Sequence, residues 1–114
     1  MNFKALAGNL GLEEEEYMEL IELFVDRSMS DLKKLEAAIK SGNADEAADA
    51  AHSMKGAAGN LGIMDFYESA GKIEMDAREG NLEGFSVVVQ SLRENLKDID
   101  GFAGNKEFTP SRNS

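Results

Sequence analysis

A single histidine, His52, lies in the stretch AAHSMKGAAGNLG, residues 50 to 62, with Lys55 three residues on and glycines at 56, 59 and 62. An imidazole can act as base, metal ligand or nucleophile. Hydrolytic triads need an orienting acid and a separate nucleophile, and metal sites gather several ligands, whereas this chain has one His, no Cys and no H-x-x-x-H pair. Both of those readings are weak. A neutral imidazole nitrogen can instead attack a phosphoryl group, giving a labile phosphoramidate that a second protein can accept. Lys55 would then offset charge on the phosphoryl oxygens. No G-x-x-x-x-G-K-[ST] loop is present, so ATP binding is not expected and the phosphate must come from a partner and leave to one.

Whether such chemistry is open to a partner depends on where the ring points. On a helical wheel advancing about 100° per residue, Ala47, Ala50, Ala51, Met54, Ala57, Ala58 and Leu61 form an apolar arc opposite His52. His52 therefore faces water, with Lys55, Gly56 and Gly59 on its side of the helix. Two glycines inside a helix cost about 1 kcal/mol each relative to alanine. On the exposed face, their remaining use is to let another molecule come close, which makes Gly56 and Gly59 candidate access residues. Gly62 falls where the helix should end and reads as a C-cap.

The elements that carry this face are helical. A short leading helix over residues 2–12 carries Phe3, Leu6 and Leu10 and ends near Gly11. From Glu13 a long helix presents Tyr17, Leu20, Ile21, Phe24, Ser28, Leu32, Leu35 and Ile39 at three- and four-residue steps, until Gly42. Asn43 and Glu46 form a capping box that opens the histidine-bearing helix, which runs to about Gly62. A further helix spans about 64–79, with Phe66, Tyr67, Ala70, Ile73 and Ala77 inward and Gly80 closing it. Asn81 caps the last helix, whose stripe is Phe85, Val88, Val89, Leu92, Leu96 and Ile99; the run VVV at 87–89 is overruled by this periodicity. The fold class predicted is all-α, an antiparallel four-helix bundle with a short N-terminal helix. The domain is expected over residues 1–102, and the glycine-bearing stretch 103–114 is expected to be a flexible tail.

Composition narrows the partners. The 114 residues suit one domain, and 42% hydrophobic with 30% charged residues suits a folded one. Twelve basic against 22 acidic residues give a net charge of −10, which repels nucleic acid and anionic lipid because the cations do not cluster. No stretch approaches the roughly 20 apolar residues that span a bilayer, and the N-terminus meets acidic residues before any long apolar run. A cytoplasmic location is the expectation, with no nucleic-acid or membrane partner. A monomer is also expected, because every apolar stripe is used inside the bundle.

The stretch AHSMKGAAGNLG resembles the signature of histidine-containing phosphotransfer (HPt) domains, whose pattern H-x-x-K-G is matched by His52, Lys55 and Gly56 and continued by Gly59, Asn60 and Gly62. That family's fold is an antiparallel four-helix bundle. The resemblance implies that His52 is the phosphoacceptor, that Lys55 steadies the phosphoryl group, and that Gly56 leaves room for a receiver domain's active-site loops. It implies response-regulator receivers and a sensor or hybrid histidine kinase as partners, no kinase activity of its own, and no bound cofactor. The Mg²⁺ that assists transfer would belong to the receiver's carboxylates. The motif is also similar to the phosphorylated domain of chemotaxis kinases, in which a glutamate on the next helix supports the histidine; the matching position here is Glu74. Those kinases carry another histidine one turn earlier, where this chain has Gly71. The residues alone leave a second reading open, a docking protein that binds such a partner through the same face and carries no phosphate.

Overall fold

The computed structural model describes residues 2–106, with side chains described to residue 101. Five helices follow one another: α1 (Phe3–Asn9), α2 (Glu14–Ser41), α3 (Ala44–Leu61), α4 (Met64–Arg78) and α5 (Phe85–Lys106). The four long ones close a ring, α2 against α3 and α5, and α4 against α3 and α5, while α1 lies on α2. This is the bundle with a leading helix that the periodicity predicts. Among the described residues no helix is long and apolar enough to cross a membrane.

Local chemistry sets the ends of each element. The Glu16 side chain accepts from the Glu13 backbone N–H at 3.0 Å, opening α2 among carboxylates that complement its dipole. Asn43 Oδ1 accepts from Glu46 N at 3.1 Å and caps α3. At the other end of α3, Gly62 takes φ 75°, a left-handed conformation that costs a glycine nothing. It lets the Ile63 N–H reach back to the Ala58 carbonyl at 3.0 Å. The Tyr17 hydroxyl donates to the Leu61 carbonyl, so the last turn of α3 is tied to the first turn of α2.

The core is built from the predicted stripes, with Tyr17, Ile21, Leu32, Leu35, Met54, Phe66, Ile73, Leu92 and Leu96 all but inaccessible. Phe24 and Phe66 meet edge to face at 5.2 Å between ring centroids, which fixes α2 against α4. Alanines 47, 50, 51 and 58 let the neighbours of α3 approach closely. Ala48 is buried as well, although the wheel sets it only about 40° from His52, so the exposed strip of α3 is narrower than the wheel implies.

Four expectations change. Leu10 falls just past the end of α1 and is exposed, because the helix stops at Asn9. Leu20 is 39% exposed, because the core-facing arc of α2 instead takes in Met18 and Val25. Asn81 does not cap α5: its Oδ1 accepts from Glu83 N at 3.1 Å in a tight turn, and Gly84 at φ 74° breaks the helical path, so α5 starts only at Phe85. At its far end α5 runs to Lys106, four residues into the segment expected as a tail; the rest of that expectation, 107–114, lies outside the described residues.

Candidate functional site

His52 lies in the middle of α3 with its side chain 65% exposed, as the wheel requires. Its Nδ1 is 3.0 Å from Oε2 of Glu74, on the facing helix α4. Glu74 itself is buried, its side chain only 11% exposed. Burial pushes its pKa up and is the largest single influence, but the Arg78 hydrogen bond and the charges of His52, Lys55 and Arg78 together outweigh it and hold the carboxyl below its usual range. Glu74 is therefore a carboxylate at neutral pH, and a carboxylate only accepts. In the neutral ring, the proton of that contact must sit on Nδ1, leaving the lone pair on Nε2.

Lys55 stands one turn beyond His52 on α3 and bridges to the other oxygen of the same carboxylate, Nζ to Glu74 Oε1 at 3.5 Å. The ammonium also lies 5.5 Å from the centroid of the Tyr67 ring. Its stem crosses α4 at Gly71, where an added Cβ would sit 3.5 Å from Lys55 Cδ. The position at which chemotaxis kinases carry a histidine here gives its space to the lysine.

The two access glycines part company. A Cβ on Gly56 would meet no atom within 4 Å, so nothing inside the fold accounts for a glycine there. On Gly59 it would press against Tyr67, 3.1 and 3.2 Å from two ring carbons. Gly59, though exposed, therefore has a packing reason of its own against Tyr67 of α4, so its glycine no longer points by itself to partner access: the wheel gives the exposed side of one helix but not what its neighbour lays across it.

Two further groups were not singled out from the sequence. Arg78 donates to Glu74 Oε2 through Nε at 3.1 Å and Nη2 at 2.9 Å, and the same Nη2 lies 4.0 Å from Asp49 Oδ1 on α3. Its position four residues after Glu74 was the available signal. Next to His52, the Ser53 hydroxyl donates to the buried Asp31 at 2.7 Å, and Arg27 approaches Ser53 Oγ at 3.4 Å, pinning α3 to α2. A carboxylate at Asp31, in register with Ser28 and Leu35 on the apolar stripe of α2, marked that contact in advance.

The site is thus an exposed imidazole with one nitrogen engaged by a buried carboxylate and the other open to solvent, with an ammonium and a bare stretch of backbone beside it. The family model of the Hpt domain matches residues 19–102, and the chain belongs to that family, the histidine phosphocarriers of phosphorelays. Among solved structures it is similar to histidine-containing phosphotransfer protein B (HptB) from Pseudomonas aeruginosa PAO1, with a TM-score of 0.80 and 25% identity over 93% of this chain and 92% of that one. No match was found among curated proteins.

Proposed function

We propose that His52 is the phosphoacceptor, taking a phosphoryl group through Nε2 from a receiver aspartate or a sensor kinase and passing it to another receiver. The observation that carries this reading is the 3.0 Å contact between His52 Nδ1 and an ionised, buried Glu74, on a ring otherwise open to solvent. In transfer from a receiver, as Nε2 bonds to phosphorus, the bond from phosphorus to the donor aspartate's carboxylate oxygen breaks and that carboxylate leaves with the electron pair. The ring keeps its Nδ1 proton and becomes cationic, and Glu74 stabilises that cation. Reversal toward a new aspartate needs no proton to be found or lost.

Lys55, tethered to Glu74 by a long 3.5 Å contact, is free to turn its ammonium to the phosphoryl oxygens. Gly56 gives the partner's loops their approach. Mg²⁺ belongs on the receiver, whose carboxylates hold it. The chain acts as a monomeric intermediate in the cytoplasm rather than as an enzyme with its own nucleotide site.

Incubating the purified chain with a radiolabelled phosphoreceiver tests this. Label should leave the receiver and appear on the chain as an acid-labile, alkali-stable adduct, and His52→Gln should take up none. Binding without any loss of receiver phosphate would instead establish the docking reading.

A further inference from the structure

We propose that Arg78 is a positioning residue for the phosphoacceptor: its guanidinium fork holds the Glu74 carboxylate in the orientation that keeps the His52 proton on Nδ1 and the lone pair on Nε2. The inference rests on the reading of His52 as acceptor and adds the group that orients its support. Three N–H groups converge on one oxygen, Glu74 Oε2: His52 Nδ1 at 3.0 Å, Arg78 Nε at 3.1 Å and Arg78 Nη2 at 2.9 Å. The terminal torsion of a glutamate is broad and roughly two-fold, so a carboxylate bonded at one point turns readily. Lys55, at 3.5 Å from Oε1 and on a flexible stem, fixes a charge but not a plane. Arg78 supplies two donors in a rigid geometry from the next turn of the same helix, both to Oε2, and so fixes where that oxygen lies against His52 Nδ1.

The arrangement extends across to α3. Asp49, His52 and Lys55 follow one another at three-residue steps along one face of α3. Each meets the Glu74–Arg78 pair: Asp49 by Arg78 Nη2 at 4.0 Å, His52 by Oε2 and Lys55 by Oε1. On α2, Asp31 and Arg27 are engaged with Ser53 instead. Arg78 is thus bound on one side to the carboxylate that orients the imidazole and on the other to the helix that carries it. Its side chain is 52% exposed, so it can be replaced with little disturbance of the core.

The imidazole ¹⁵N shifts of the labelled protein, recorded at pH 8.5 on the free chain, report the tautomer directly. The Nδ1–H form should dominate in the wild type. Arg78→Ala should lower the ratio of Nδ1–H to Nε2–H by about threefold or more, the worth of one hydrogen bond. Arg78→Lys, which keeps the charge and loses the fork, should also lower it. The rate of phosphoryl uptake from a phosphoreceiver should fall by a similar factor, and in a Glu74→Ala background Arg78→Ala should add nothing. An unchanged tautomer ratio in either Arg78 variant overturns the proposal, and so does a rate loss that survives in the Glu74→Ala background, since Arg78 would then be acting on the partner. A wild-type chain that takes no phosphate sinks the acceptor reading, while the tautomer comparison still decides the role of Arg78.

Discussion

Gly56 and Gly59 are nearly one helical turn apart, have the same intrinsic helix penalty and differ only in what surrounds them. That difference is measurable. Gly56→Ala enters open space and should stabilise the chain by about 1 kcal/mol in urea unfolding. Gly59→Ala should gain less, because its methyl must displace the Tyr67 ring by a few tenths of an ångström. Phosphotransfer should separate them again: a long side chain in Gly56→Gln should keep the stability gain and slow transfer, and a Gly56→Gln variant that transfers normally removes the case for access. Glu74 gives a residue-scale prediction of another kind. Its pKa is held below the usual carboxyl range in the fold, so its contribution to stability is fully present above the unfolded-state value and is lost as pH falls through the folded one. Glu74→Gln should flatten that part of the acid limb in unfolding curves taken from pH 7 down to 3, and an acid limb of unchanged slope would mean that the carboxylate is not held as described.

At the scale of elements, α2 carries one buried hydroxyl that is satisfied and one that is not. The Tyr17 hydroxyl satisfies the Leu61 carbonyl at the end of α3, and burial raises its pKa to about 12. Stability from this group is complete below about pH 10 and lost as pH rises toward 12, so Tyr17→Phe should lower stability by about 1 kcal/mol at neutral pH and weaken the alkaline transition. Ser28 is the reverse case: fully buried on α2, its hydroxyl has no hydrogen-bond partner among the described residues. Ser28→Ala should therefore stabilise by about 1 kcal/mol, and a loss would point to a partner that the structure does not contain. The same scale explains what could be read in advance. His52, Lys55 and Gly56 were legible because helical spacing alone decides which residues share a face, and Gly42, Gly62 and Gly80 were legible because a left-handed stop favours glycine. The start of α5 was misplaced because Asn81 forms an equally ordinary turn, and only the backbone at Gly84 decides between them. The meeting of Gly59 with Tyr67, and of Arg78 with Asp49, depends on how α3 and α4 are rotated against each other, which periodicity within one helix does not contain.

For the molecule as a whole, the question is how far the stability of the bundle and the chemistry of His52 are separable. α2, at about 1.5 Å per residue, is roughly 42 Å long, close to the full 46 Å extent of the protein, and it is held at its first turn by α1. The family match begins at residue 19, so α1 and the first turn of α2 lie outside it. Phe3 is 2% exposed and packs its ring, tilted by 52°, against that of Tyr17 at 6.0 Å between centroids, making α1 a cover for the residue that fastens α2 to the end of α3. His52 is nine residues before that end, about 13 Å along the helix axis, and its partners Glu74, Arg78 and Lys55 all belong to α3 and α4. Loss of the cover should therefore lower stability without touching the site. Phe3→Ala is expected to cost about 3 kcal/mol, enough to lower the midpoint of thermal unfolding by roughly 15 °C in a chain of this size. At 20 °C, with the population still folded, the rate of phosphoryl uptake from a phosphoreceiver should stay within about twofold of wild type, because the Glu74 contact does not rely on α1. A variant that keeps its circular dichroism at that temperature and yet loses transfer would mean that strain at the first turn of α2 reaches the imidazole through α3, and the site could then no longer be treated as the property of two helices.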